Sequence, residues 1–494
     1  MTISSWPYVS PLETVSEECE HLFLELDGSE PKEPKPLSIS RLVLLTCPNL
    51  GLQVYWFLLQ SNGTPYLRSL GIPPFFVSLA WALGPIFGIF VQPIVGQISD
   101  ELHHPFGRRK PVMMTGTATT IIATVLMAYA PELGATKIAN TWQPCAIAMV
   151  CLFVVLFAIN VYSVGVRALI VDACPPAQQS AAAAWSMRWS VLGSAILAIS
   201  SFVSSSTLKY QVDAVFAFRT LTWVASSCSA ISVGLVCWFV PQSAASPSLQ
   251  KAETARHIRF FDKYSPYELT RRWRQLPPVT GKVCGVQLFA WCGWFPVLYY
   301  MSTIILLAKA EHYNITAHLE AIQEGHPDPE TYAKPYQLYA SVAFALGTLQ
   351  ATFLLSLLNA TTTVLCHDNH PRIWLASQLL ATLCLFPTAI IRTSVWALAL
   401  LSFIGATWAV TIWVPFALIN TEISSLPAGT AAIQGLHNMA ISVPQVASAV
   451  GCAVVLVGLD ILGILNSAAW LLTLAAVPVG WSAYLIWRLE GKLK

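Results

Sequence analysis

The amino-acid sequence predicts an all-α membrane protein with twelve transmembrane helices in two six-helix halves. Three observations predict it. The 494 residues are 55% hydrophobic and only 11% charged, less than half the roughly 25% charged share of a soluble domain. About twelve stretches reach the roughly 20 apolar residues that a bilayer-crossing helix needs. The few charges are sorted between alternate connections, as the excess of Lys and Arg on cytoplasmic loops requires.

The elements follow in order. Residues 1–40 read as a disordered cytoplasmic tail, acidic at first and ending its polar part in Pro31-Lys-Glu-Pro-Lys-Pro36, with no cleavable signal pattern. The N-terminal half, 41–240, holds spans near 42–61, 74–98, 112–130, 143–171, 183–205 and 217–240. A basic cytoplasmic linker, 241–281, carries Lys251, Arg256, Arg259, Lys263, Arg271, Arg272 and Arg274 against Glu253, Asp262 and Glu268. The C-terminal half, 282–488, holds spans near 282–308, 337–358, 373–391, 395–419, 436–458 and 461–487, before a short tail, 489–494. Arg108, Arg109 and Lys110, the linker, and Arg488, Lys492 and Lys494 all fall on one side, which places both termini in the cytoplasm. The connection 309–336 is then outside. It is acidic, with Glu311, Glu320, Glu324, Asp328 and Glu330, and its Asn314-Ile-Thr316 sequon is an expected glycosylation site. The sequon at Asn62 hugs the first span, and that at Asn359 falls on the inner side.

Several function classes are excluded. The net charge of +2 is spread over many loops, so no nucleic-acid partner is implied. No Walker sequence occurs, against an ATP-driven pump, and no nucleophile and base arrangement suggests an enzyme. The twelve cysteines lack paired metal spacing and read as small apolar packing residues, so neither a metal nor a cofactor is expected. His103, His104, His367 and His370 lie in cytoplasmic connections without ligand spacing and read as solvated. The partners are the lipid bilayer and a small-molecule solute, with protons a further partner only if an acid exists to carry them.

Two six-helix halves related by an axis along the membrane normal, with a site between them at mid-depth, is the plan of major facilitator transporters. After the second span comes Gly96-Gln-Ile-Ser-Asp100, then Gly107-Arg108-Arg109-Lys110. Gly96 lets a neighbouring helix approach. Asp100 with Arg108 and Arg109 has the spacing of a charged latch that holds one face shut, while Lys110 reads as a topology anchor.

The run Trp81-Ala-Leu-Gly84-Pro85 through Gln92-Pro93 to Gly96, then Ser99-Asp100 and Phe106-Gly-Arg-Arg109, resembles the second span and following loop of plant sucrose–proton symporters. Their relatives in the glycoside–pentoside–hexuronide branch of the major facilitator superfamily share it. Further matches are Gln53 and Trp56, Thr64-Pro-Tyr66, Leu70-Gly-Ile-Pro73, Arg167-Ala-Leu169 with Asp172, Trp294-Phe-Pro296, Val414-Pro-Phe-Ala-Leu418, and His437-Asn438 through Pro444-Gln445. The resemblance implies alternating access of a sugar or glycoside. It also implies proton-carrying acids that this chain lacks: the position eleven before Arg167 is Leu156, two acids of the seventh span correspond to Met301 and Thr303, and a histidine corresponds to Pro74.

Arg167 within a span costs about 2.5–3.5 kcal/mol unless partnered. It reads either as an interface anchor paired with Asp172 or Asp100, or as a cavity donor, the role the resemblance favours. In the second role it suits an anionic or acceptor-rich solute. Gln53 with Trp56, and Gln287 with Trp291, each pair an apolar face with a polar handle on adjacent turns, and with Asn160 they are the expected cavity lining. Glu422 reads as a helix cap toward the outer surface, with a substitute proton site alongside His437 as the rarer alternative. Three functions remain open: a secondary carrier of a sugar, glycoside or similar metabolite at the plasma membrane; an exporter of a specialised metabolite; and a non-transporting receptor on the same fold.

Overall fold

The computed structural model describes residues 36–134, 142–207, 214–241, 265–310, 365–391, 394–426, 429–464 and 467–493. The expected span 337–358, the outer connection beyond residue 310 with Asn314, the sequon at Asn359, most of the linker and the tail 1–35 lie outside the described residues.

Every element among these residues is helical. The first span is built in pieces, α1 (Ile39–Thr46), α2 (Pro48–Leu58), a π-helical turn (Leu59–Gly63) and α3 (Thr64–Ser69). The Ser38 hydroxyl accepts from the Arg41 amide to start it, and Pro48 opens the second piece, where its missing N–H costs nothing. There follow α4 (Pro74–Glu101), α5 (Lys110–Ala128), the short α6 (Ala130–Leu133), α7 (Trp142–Ala173), α8 (Gln179–Thr207) and α9 (Ala214–Phe239). The second half holds α11 (Pro278–Ala310), α12 (Leu365–Leu385), α13 (Ser394–Ile423), α14 (Thr430–Ile461) and α15 (Ser467–Leu493). Between the halves the linker forms α10 (Pro266–Arg274), which the sequence reading did not separate. Its signal was present: the Ser265 hydroxyl accepts from the Glu268 amide, and Glu268 pairs with Arg271 and Arg272, a local capping pattern.

Ten helical stretches among the described residues are long and apolar enough to cross a bilayer. Their outward faces are apolar too: Phe90, Ile122, Val150, Ile231, Val454 and Val477 are all more than half exposed, an arrangement suited to lipid and not to water. Each half has its own core. Tyr55, Leu58, Tyr66, Leu156, Tyr162 and Phe218 are fully buried together in the first, and Ala290, Trp294, Leu401, Leu472 and Val479 in the second. A further cluster crosses the divide, joining Val171 and Ala183 to Val283, Trp374, Trp413, Val414 and Ile486.

The halves meet where α4 and α7 pack on α14 and where α8 packs on α13. The α4–α14 crossing depends on glycine. A Cβ at Gly96 would lie 2.4 Å from the Ala431 carbonyl oxygen, and one at Gly435 would lie 2.6 Å from the Pro93 Cα. Backbone cannot yield to such contacts, so glycine at both positions is what allows the approach.

Candidate functional site

The charged cluster lies at the α4–α14 crossing. Gly107 takes φ +84°, a left-handed turn that L side chains disfavour, and so turns the chain back to deliver Arg109 at the start of α5. The Arg109 side chain is completely buried. Its Nε donates to Asp172 Oδ2 at 2.7 Å, Nη1 to Ser99 Oγ at 3.0 Å, and Nη2 to Asp100 Oδ1 at 2.6 Å and to Thr430 Oγ1 at 2.9 Å. Arg108 reaches the outer side of Asp172 at 2.9 Å. Asp100 also accepts the amides of Ala431 and Ala432, at 3.3 and 2.9 Å, so it caps the N-terminus of α14 in the favourable sense of the helix dipole. Burial alone would lower the Arg109 pKa, but the adjacent Asp100 and Asp172 carboxylates outweigh it and raise the pKa. One guanidinium thus joins α4, α7 and α14 across the two halves. Lys110 turns inward and donates to the Cys237 carbonyl at 3.0 Å, serving the C-terminal end of α9 and not only the membrane surface.

Two readings from sequence are corrected at this end of the bundle. His370 is not solvated: it is 2% exposed, with Nε2 2.7 Å from Ser180 Oγ on α8. Its ring meets the Trp413 edge, and the Trp413 indole donates to the Ser180 carbonyl at 3.0 Å. The helix therefore begins earlier than the apolar run, and its His370 is covered by the other half. Glu422 is a cap but not toward the opposite surface. It accepts from the Val279 and Thr280 amides and the Thr280 hydroxyl, at 2.9, 2.7 and 2.6 Å. It therefore closes the start of α11, the first helix after the basic linker.

Arg167 stands between the halves with different partners. Neither Asp100 nor Asp172 reaches it. Nη1 donates to Asn438 Oδ1 on α14 at 2.9 Å and makes a long contact of 3.5 Å with Gln92 Oε1 on α4, and the guanidinium lies 4.9 Å from the Phe416 ring centre. Gln92 in turn donates to Asn160 Oδ1 at 2.8 Å, while Asn438 donates to the Gly88 carbonyl and Ser442. The result is a polar layer of neutral amides around one cation. His437 meets the same Phe416 ring edge-on, with centres 4.7 Å apart, and is fully buried with neither ring nitrogen hydrogen-bonded among the described residues. Gln434, one turn earlier, is held through its amide nitrogen by Asn420 while its Oε1 is unpartnered.

The other expected lining residues divide into two places. Gln53 and Trp56 are half-buried on α2, with Trp56 facing Gly84 of α4 and Leu156 of α7. Leu156 is fully buried in the apolar core. Gln287 and Trp291 are buried on α11 with Gln287 Oε1 and the Trp291 indole nitrogen unpartnered, as is that of Trp294. Trp291 and Trp294 pack on Trp408, with ring centres 5.5 and 5.1 Å apart. Sequence reasoning assigned no role to Phe416, Trp408 and Gln434, gave Gln92 and Asn438 only as positions of the resemblance, and gave His437 a role only in the rarer proton-site alternative. Their only signal was being polar or aromatic within a span, which packing residues share.

A family model described as the Major Facilitator Superfamily matches residues 50–449. The chain is similar to the general alpha-glucoside permease of Schizosaccharomyces pombe, 26% identical over 93% of this chain and 95% of the permease. It is similar to the sucrose transport protein SUT3 of Oryza sativa subsp. indica, 26% identical over 87% of this chain and 90% of that protein. Among solved structures, FucP in the outward conformation superposes with a TM-score of 0.61 at 14% identity, over 91% of this chain and 99% of FucP. The proton:xylose symporter XylE gives 0.60 at 13% identity, over 91% and 94%. These two likenesses concern the fold. With the matched region covering most of the chain and the paired helical halves in place, the chain belongs to the major facilitator superfamily, on the side of its sucrose-transporter-like branch, and is a multi-pass membrane protein.

Proposed function

We propose that this protein is a secondary carrier moving a polar, sugar-like solute across the plasma membrane by alternating access, with both termini cytoplasmic. It is not an enzyme. The observation that carries the reading is the Arg167–Asn438 contact with its surrounding amides. It spans the two halves one layer in from the Arg109 latch, where a solute at mid-depth would bridge them. The names of the similar proteins, an alpha-glucoside permease and sucrose transport proteins, support a sugar or glycoside. Trp56, Trp291 and Trp408 offer faces for a sugar ring, while Gln53, Asn160 and Gln287 offer hydrogen bonds.

The latch end is the cytoplasmic one, on the reading of the basic loops, and Arg109, Asp100, Asp172 and Thr430 then hold the inner face shut. Opening requires these bonds to break together, a two-state element. Transport proceeds without a dedicated proton site: Leu156, where an acid would be expected, is packed in apolar surroundings. That same feature favours a second reading, an exporter of a specialised metabolite running down its gradient.

Proteoliposome uptake tests both. Arg167→Gln is expected to abolish transport by removing a donor that bridges solute and halves, and full transport by that variant would refute the site. Net flux only outward, with no uptake under an inward proton gradient, would select the exporter.

A further inference from the structure

We infer that the solute carries an anionic group, a carboxylate or similar oxyanion, that docks against Arg167 and His437; this rests on the carrier reading above and names its substrate class. The first support is a charge inventory. The twelve segments expected to cross the membrane contain no Asp or Glu, yet they contain Arg167, Arg188 and Arg219, besides Lys282 at the very start of one of them. Arg219, near the end of α5 and α6, has Glu132 as its partner. Arg167 has amide oxygens and a ring face instead. An ionised group at membrane depth calls for a counter-charge, and the carboxylates at the nearby helix ends, Asp100 and Asp172, are paired with Arg109 and Arg108 and not with Arg167.

The second support is the set of unused donors. Arg167 donates from Nη1 alone, so Nε and Nη2 have no protein acceptor among the described residues. That leaves a planar edge of the guanidinium, the geometry that a carboxylate takes up with two parallel hydrogen bonds. The buried His437 ring, packed on the same Phe416 that Arg167 contacts, has both nitrogens unsatisfied among the described residues, a state that is costly unless a ligand relieves it. A neutral imidazole donates one N–H to an oxyanion and accepts a hydroxyl at the other nitrogen. Gln434 Oε1 adds a further acceptor for hydroxyls.

The third support is spacing along α13. Trp408 and Phe416 are eight residues apart, about 12 Å of helix, with the orphan indole nitrogens of Trp291 and Trp294 beside Trp408. That separation matches the length of a glycoside whose charged end meets Arg167 and whose ring lies toward the tryptophans. A monoanion moving through a site without a titrating acid carries its charge with it, so its transport is electrogenic.

The test uses matched pairs that differ in one group, on the full chain in lipid nanodiscs: maltobionate against maltitol, and 4-carboxyphenyl α-D-glucoside against phenyl α-D-glucoside, with affinities read by calorimetry. The acid of at least one pair is expected to bind about tenfold or more tightly than its neutral mate. Arg167→Gln is expected to erase the preference and Arg167→Lys to keep part of it; the wild-type comparison stands without either variant. Equal or tighter binding of the neutral members overturns the inference while leaving the carrier reading intact. A preference that survives in Arg167→Gln overturns the assigned site. Neutral members that bind only when chloride is present place the charge on a separate ion and overturn its assignment to the solute. Binding of no member overturns both this inference and the sugar-carrier reading.

Discussion

Arg109 is partnered by carboxylates and Arg167 by neutral amides, a difference that, on the proposed reading, separates a lock from a binding group. Arg109 is enclosed by two carboxylates and two hydroxyls. Removing one member of a buried ion pair costs about 3–5 kcal/mol, so Arg109→Gln is expected to release the α4–α14 contact. Hydrogen exchange at the Ala431 and Ala432 amides, which Asp100 accepts, should rise steeply; unchanged exchange would contradict the latch. Because the Arg109 pKa is raised, its contribution is complete below the ordinary arginine range and is lost only above it. Exchange at those two amides should therefore carry no step from Arg109 titration between roughly pH 6 and 9. Asp100, Gly107, Arg108 and Arg109 could be selected from sequence because they are close together and their charges alternate around a turn. Asp172 and Thr430 could not, since 258 residues separate two side chains that lie 2.8 Å apart. His370 was misjudged because a polar residue at a helix start looks the same whether water or another domain covers it.

At the scale of elements, the crossings between helices of different halves decide what can move. Gly96→Ala is expected to hold the latch end ajar, because its Cβ would meet the Ala431 carbonyl and not a yielding side chain. Overpacking of this kind costs about 1–3 kcal/mol, read as a lower melting temperature together with faster exchange over 430–435. Ser180, His370 and Trp413 form the corresponding contact between α8 and the second half. His370→Ala should accelerate exchange in the first turns of α8 and α12 and, if the two contacts close one face together, in the first turn of α14 as well. A purely local change would show them to be independent. Glu422→Gln removes the charged cap on α11 and should cost about 1–2 kcal/mol, with loss confined to the first turn of that helix. The helices themselves were legible because a lipid-crossing segment is an apolar run of fixed length. Their ends were not: α14 begins at Thr430, six residues before the apolar run read from sequence, since a polar first turn is compatible with burial at an interface.

For the whole molecule, composition and charge placement were enough to anticipate an all-helical membrane protein in two halves, because the bilayer admits few architectures. Which polar residues line the space between the halves was less legible. Gln53 and Trp56 lie on α2 and Gln287 and Trp291 on α11, and nothing in their local spacing orders them relative to Arg167. The central claim is that the two halves alternate around a polar solute without a built-in proton acid. It is tested most directly by counterflow of labelled α-glucosides and their carboxylated counterparts in proteoliposomes, with and without an imposed proton gradient. Saturable exchange whose rate is indifferent to the proton gradient, and which Arg167→Gln eliminates, is the predicted result. Exchange that requires the proton gradient, or survives in Arg167→Gln, would contradict it.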